Sequence, residues 1–200
     1  MKKTLLILPL VLLASALALS ACGGGSSSGG SGEEGAIEEA IEEGATSQNA
    51  SKCTEFQTQK FNEQSTGTSG VQANKVCEEE VESGSSEPES VSISGISESG
   101  ETATAEVGIE GSGLGGQTVE VELVKEEEAW KLNQFTGFAK FDAASLASSL
   151  EESLEEEGAA EPKVIKCLGE GLAEFSQEEA EEVTFEHNLE SIEKLTEGCK

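Results

Sequence analysis

The chain has 200 residues, with 40 acidic side chains against 12 basic ones and a formal net charge of −28 at pH 7. So negative a surface repels phosphate backbones, which argues against nucleic-acid binding, and it also repels anionic lipid headgroups. Cations and basic surfaces are the partners that such a charge favours, although charge runs are usually solvated faces. The length suits one domain, or one domain with an appendage.

Residues 1–21 are typical of an export signal that ends just before a cysteine. Met1-Lys2-Lys3 is basic, and residues 4–19 are almost entirely apolar. Sixteen such residues fall short of the roughly 20 that a membrane-spanning helix requires. Leu19-Ser20-Ala21-Cys22 resembles the bacterial lipobox.

That resemblance implies diacylglyceryl transfer to the Cys22 sulfur and cleavage before Cys22, often with acylation of the new amine. The protein is then expected outside the cytoplasm, anchored to the bacterial cell membrane by lipid. Loss of Lys2 and Lys3 leaves 10 basic and 40 acidic residues, so the mature net charge is −30. The lipid alone must hold such a body at the membrane, because its surface is repelled.

The other four cysteines are predicted to form two disulfides, since an even count in an exported chain is typical of structural bridges. They are Cys53, Cys77, Cys167 and Cys199, and they permit three pairings. Cys53–Cys77 and Cys167–Cys199 are favoured because each pair lies within its own compositional block. The alternative, a cysteine-ligated metal site, has no Cys-x-x-Cys pair and only one histidine, His187, in its favour.

The first part of the mature chain is predicted to be a tether followed by short helices. Residues 22–32 are Gly and Ser with Cys22, a flexible spacer to which no fold is assigned. Residues 33–45, 53–61 and 71–81 carry apolar side chains at helical spacing. A bridge between Cys53 and Cys77 would pin the last two helices, which have too little apolar surface to fold alone.

Residues 90–138 alternate apolar and polar side chains, the pattern of antiparallel strands with one solvated face. Turn-forming or charged breaks at residues 98–101, 111–116 and 125–128 divide them into a four-stranded meander. The preceding helices are the expected cover for its apolar face. The break at 111–116 matches G-x-G-x-x-G by letter, but a strand follows it, so a hairpin is predicted and no cofactor site.

Residues 141–200 are predicted to be a small helical appendage closed by Cys167 and Cys199. Asp142 is a candidate N-cap for a helix that ends at Gly158. Pro162 is suited to open a second helix. Ser176 and Glu179 have the spacing of a capping box at the start of a third.

Three segments carry a resemblance to a known fold: residues 102–107 (TATAEV), 119–126 (VEVELVKE) and 130–132 (WKL). With the helices before them, they resemble the nuclear-transport-factor-2-like (cystatin-like) fold, and in particular uncharacterised bacterial lipoproteins that carry this domain behind a lipobox. The resemblance covers about residues 33–140. It implies an α+β fold whose curved sheet wraps around helices and often leaves a conical pocket, used by different members for catalysis, ligand holding or dimerisation.

No catalytic, cofactor-binding or metal-ligating residue is assigned. Members of that fold which are isomerases or dehydratases place an acid or a His base opposite Tyr donors. This chain has no Tyr, and His187 lies outside the resembling segments. The expected function is therefore a non-catalytic envelope protein whose body binds a protein partner or a small ligand.

Two alternatives stay open. One is a pocket enzyme or ligand carrier of the same fold, which predicts apolar strand residues around a pocket and one carboxylate that points inward. The other is an acidic cation-binding surface protein that uses glutamate runs such as residues 78–80 and 126–128.

Overall fold

The computed structural model describes residues 32–84, 88–156, 158 and 161–199, so the predicted signal and Cys22 lie outside the described residues. The described residues form an α+β fold with eight helices and one antiparallel sheet of four strands. Their bounds in chain order are α1 Glu33–Thr46, α2 Lys52–Glu55, α3 Gln59–Thr66, α4 Val71–Ser83, β1 Ser90–Ser99, β2 Thr102–Glu110, β3 Thr118–Glu126, β4 Ala129–Lys140, α5 Ala143–Glu156, α6 Pro162–Leu172, α7 Gln177–Phe185 and α8 Glu190–Gly198.

The sheet is the predicted meander, with strand order β1-β2-β3-β4. Alternate side chains of the central strands are buried on one face. They are Ala103, Ala105, Val107, Ile109, Val119, Val121 and Leu123. Ile37 and Ile41 of α1 lie in the same core, which confirms that the first helix helps to cover the apolar face.

Strand β4 bends because it carries three bulges against β3. The register shifts between Thr118 and Val119, between Glu120 and Val121, and between Glu122 and Leu123. At each shift β4 holds one residue more than its partner, and such an extra residue bends a strand and increases its twist. The core-facing residues Leu132, Phe135 and Phe138 are consequently three apart instead of two.

The helix predicted over residues 53–61 is wrong, because α2 ends at Glu55 and α3 begins at Gln59. The Thr58 side chain accepts a hydrogen bond from the Phe61 N–H at 3.1 Å and so caps α3. Residues 56–58 run beside β4 instead. Leu132 N–H donates to the Phe56 carbonyl, and Thr58 N–H donates to the Leu132 carbonyl, each at 2.9 Å.

Side chains close the outer edge of β4 further along. The Gln64 carboxamide accepts from Phe135 N–H at 2.7 Å and donates to the Phe135 carbonyl at 3.0 Å, as a neighbouring strand would. Phe138 N–H donates to Glu181, and the Phe138 carbonyl accepts from Gln177, each at 2.9 Å. Helices α3 and α7 are thus fixed to β4 by backbone groups that would otherwise lack partners.

The helix starts predicted in the C-terminal region are confirmed. Asp142 Oδ1 accepts from Ser145 N–H at 2.9 Å, Pro162 opens α6, and Ser176 forms the predicted capping box. Side chains of α5 and α7 also reach the main core, among them Leu146 and Phe185. The division of the chain into domains at residue 140 stays a prediction.

A row of five aromatic rings joins α3 and α7 to β4. Neighbouring ring centroids lie 4.8 to 5.3 Å apart, within the range of favourable aromatic pairs. In spatial order the rings are Phe61, Phe135, Phe185, Phe138 and Phe141. Three of the five rings lie in or next to β4. The row therefore adds apolar contacts between β4 and the helices α3 and α7 to the hydrogen bonds at the strand edge.

Both favoured disulfides are present. Cys53–Cys77 joins α2 to α4, and Cys167–Cys199 joins α6 to the end of α8. Two bridges are typical of a protein that folds in an oxidising compartment outside the cytoplasm.

Glu33, the first residue of α1, fixes this helix to the β3–β4 hairpin. Its carboxylate accepts from Lys125 Nζ at 2.9 Å and from the Trp130 indole N–H at 2.7 Å. These two hydrogen bonds, Lys125 first, lower the pKa of Glu33, and the hydrogen bond to Glu33 raises the pKa of Lys125. Lys125 Nζ also lies 5.7 Å from the centroid of the Trp130 ring.

Trp130 fluorescence is expected to report loss of the Glu33 contact in acid. Because the hydrogen bonds from Lys125 and Trp130 lower the folded-state pKa of Glu33, its contribution is present at neutral pH and is lost as the pH falls through that lowered pKa. Trp130 is the only Trp, so its emission between about pH 6 and pH 3 measures this step directly. Glu33→Gln should abolish the step and Glu34→Gln should keep it; an unchanged step in Glu33→Gln contradicts the assignment.

Replacement of Cys53 and Cys77 by Ser is expected to lower the free energy of unfolding by about 3 kcal/mol, because it releases a constraint on the unfolded chain. Urea denaturation of the mature protein measures this loss. The Cys167→Ser, Cys199→Ser variant is the matched control, because the bridge that it removes closes a loop of similar length. A loss below about 1 kcal/mol in the first variant would show that the unfolded chain is not constrained there.

Candidate ligand-binding cavity

A cavity of about 340 Å³ lies between the apolar face of the sheet and the helices. All four strands supply apolar side chains to its wall, and the helices close the other side. The main apolar lining residues are Ile41, Phe61, Val81, Val91, Val107, Ile109, Val119, Val121, Leu132, Phe135 and Phe185. Its volume lies within the range of small-molecule sites, which are mostly apolar with a few placed polar groups.

The cavity exists where the bent strand β4 meets the end of α1. Gly44 of α1 lines it, and a Cβ atom built there would lie 2.8 Å from Leu132 Cδ1. The helix therefore approaches β4 closely only because residue 44 has no side chain. The ring of Phe135 borders the cavity further along β4.

Lys52 and Gln57 are buried polar residues in the wall, with 4% and 7% of their surface exposed. Both satisfy carbonyl groups at the C-terminal end of α1, where no helical partner is available. Gln57 Nε2 donates to the Gly44 carbonyl at 2.7 Å, and Lys52 Nζ donates to the Ala45 carbonyl at 3.3 Å. They thus cap the first helix from the segment that follows it.

Glu80 is the only carboxylate among the lining residues that the structure describes. Its side chain is exposed to solvent, so it lies at the rim and not within the apolar interior. The inward carboxylate expected of a pocket enzyme therefore has no counterpart among these lining residues.

A second recess, of about 700 Å³, lies between the β2–β3 turn and α5. It is lined by polar residues, including Ser145, Ser148, Ser149 and Glu152, and by glycines of the turn. The Ser149 hydroxyl donates to the Gly115 carbonyl at 3.1 Å, which joins the two sides. Among the residues that the structure describes, this recess is lined by no buried charged side chain, and the apolar cavity is the better candidate for a ligand.

The residues that the sequence singled out are placed apart. Cys22 lies outside the described residues. Cys77 lines the cavity, whereas Cys167 and Cys199 join helices elsewhere. His187 is exposed, and its Nε2 contacts the Gln64 carbonyl. Within the described part of the chain, no group of three or more His, Cys, Asp or Glu side chains is placed to hold a metal ion.

None of the helices in the described ranges combines the length and the apolar character that crossing a membrane requires.

Gln57 was missed by the sequence analysis, because the predicted helix over residues 53–61 gave it no special place. The signal that could have found it is Thr58, three residues before Phe61, which is the spacing of an N-cap and the residue it bonds. A helix that begins after Thr58 leaves residues 56–58 outside both helices, free to pair with a strand.

Comparisons with family models, with curated proteins and with solved structures found no match for this chain. The assignment of a function consequently depends on the geometry of the cavity and on the N-terminal sequence.

Proposed function

We propose that this protein is a lipid-anchored, extracytoplasmic envelope protein whose body is a non-catalytic module that binds a small, mostly apolar ligand. The observation that carries the proposal is the cavity of about 340 Å³ inside the fold. The cavity opens to solvent at a rim that includes Glu80, so a ligand can enter it. This cavity has the share of about eleven water molecules in the liquid.

The binding role is supported by the residues around the cavity. Apolar side chains from the sheet and the helices surround it, and its polar residues come from one short stretch of chain, residues 52–57, together with rim residues such as Gln64 and Glu80. This separation of apolar and polar lining residues favours a mostly apolar ligand, one end of which is oriented by a polar group.

The location outside the cytoplasm is supported by two independent features. Leu19-Ser20-Ala21-Cys22 has the lipobox pattern after a basic start and an apolar stretch. The two disulfides are of the kind that persist in oxidising compartments. The predicted tether, residues 22–32, would then space the body from the membrane surface, because anionic headgroups repel its net charge of −30.

The proposal includes the nuclear-transport-factor-2-like arrangement for residues 33–140. It is supported by the meander order of the strands, by the bulges that bend β4, and by the position of α1 on the concave face. A pocket on that face is where the resemblance leads us to expect a ligand.

Filling the cavity is expected to abolish binding of a neutral apolar probe. Val121 is a lining residue of the cavity, and the larger ring of Val121→Phe is expected to occupy part of its volume. N-phenyl-1-naphthylamine should bind the mature protein at one site with increased emission, and Val121→Phe should weaken it at least about tenfold.

The matched control for this test is Val124→Phe, the same change on the same strand. Val124 pairs with Thr102 and is not a lining residue. Circular dichroism should show that both variants are folded. Equal probe affinity in both variants, or no saturable binding by the mature protein, would contradict the proposed cavity function.

Lipid attachment is expected at Cys22. Mass spectrometry of the protein purified from a bacterial membrane should find an N-terminal peptide that begins at Cys22 and carries a diacylglyceryl group. Cys22→Ala should leave the protein out of the membrane fraction or unprocessed, whereas Ser26→Ala, a matched change in the spacer, should leave anchoring intact. An unmodified Cys22 thiol would overturn the location.

A further inference from the structure

Gln57 places one buried hydrogen-bond acceptor in the wall of the cavity. Its side chain is 7% exposed, and its two polar atoms have different surroundings. Nε2 donates to the Gly44 carbonyl at 2.7 Å. Oε1 lies 3.2 Å from the sulfur of Cys77.

The Cys77 sulfur cannot satisfy that acceptor. Cys77 is bonded to Cys53, and a sulfur in a disulfide carries no hydrogen to donate. No other contact to Gln57 Oε1 is found among the described residues. A buried acceptor without a donor costs free energy, so it is a place where a ligand donor would be favourable.

The orientation of the carboxamide is determined by Gly44. Exchange of the oxygen and nitrogen would set Oε1 against the Gly44 carbonyl, with two acceptors 2.7 Å apart. The observed orientation is therefore the one in which Gln57 gives the Gly44 carbonyl a donor. The planar amide then leaves Oε1 available on its other side.

We infer that the ligand of this cavity is an uncharged, mostly apolar molecule that carries one hydroxyl or N–H donor, and that this donor binds Gln57 Oε1. The inference rests on the proposed ligand-binding function and adds the class of the ligand. A volume of about 340 Å³ suits a molecule of roughly a dozen non-hydrogen atoms.

Ligands that carry a formal charge, whether anionic or cationic, are excluded. A carboxylate or phosphate offers no donor to Oε1, and the buried ammonium in the wall, Lys52, already donates to the Ala45 carbonyl in a chain whose net charge repels anions. An organic cation would lose its hydration among apolar side chains and gain one neutral acceptor, which does not compensate the loss. Asn62 Oδ1 also lacks a partner, but Asn62 does not line the cavity.

The test uses two ligands, 4-butylphenol and 4-butylanisole, of which the second replaces the donor O–H by O–CH3 and so loses the donor and gains one methyl group. Each displaces N-phenyl-1-naphthylamine from the mature protein with its disulfides intact. Without an acceptor in the cavity the anisole should bind more tightly, because the phenol gives up its hydrogen bond to water. A roughly tenfold preference for the phenol is expected if Oε1 accepts its proton.

The variants assign that preference to Gln57. Gln57→Met keeps the length of the side chain and removes the acceptor, so the preference for the phenol should be lost. Gln59→Met is the matched control, since Gln59 is exposed on α3 and bonds only Glu63; it should keep the preference. A preference that persists in Gln57→Met overturns the inference.

Two further outcomes separate this inference from the function on which it rests. Equal binding of phenol and anisole by the unaltered protein overturns the ligand class and leaves the cavity function standing. Failure of both ligands and of the probe to bind overturns the cavity function. If Gln57→Met does not fold, the amide resonances of Gln57 in the unaltered protein decide, since the phenol should shift them more than the anisole does.

Discussion

The hydrogen bonds along the outer edge of β4 position most of the elements around the cavity. The segment at residues 56–58 satisfies Leu132, Gln64 satisfies Phe135, and α7 satisfies Phe138. A buried backbone group without a partner costs about 1–3 kcal/mol, so these elements are stable only in the register that satisfies the edge. The Cys53–Cys77 bridge and the aromatic row add further contacts to the segments that these hydrogen bonds hold against β4.

The bulges of β4 explain why a cavity lies on that face. A flat strand would bring successive inward side chains against α1 and α3 at the spacing of two residues. The extra residues bend β4 and move its inward positions to Leu132, Phe135 and Phe138. The end of α1 approaches the bent strand closely at Gly44, where a Cβ atom would lie 2.8 Å from Leu132 Cδ1.

The strands and most helix ends could be predicted from the sequence, because alternation and capping residues act locally. Asp142, Pro162 and Ser176 open helices as expected. The bend of β4 could not be predicted in this way, since apolar residues three apart at 132, 135 and 138 depart from strand alternation. The start of α3 after Thr58 has a local signal, but the pairing of residues 56–58 with the Leu132 backbone, about 75 positions further along the chain, has none.

The position of Gln57 in the cavity wall follows from the break between α2 and α3 at residues 56–58. Once residues 56–58 leave the helix and pair with β4, the Gln57 side chain is directed to the end of α1, where the Gly44 carbonyl needs a donor. An apolar side chain at position 57 would remove the unsatisfied acceptor but leave Gly44 without its donor. A carboxamide satisfies the helix end and, because it is planar with opposite groups on its two sides, it presents an oxygen to the cavity. The same residue that donates to the end of α1 thereby also lies in the cavity wall, where the proposed ligand donor would bind.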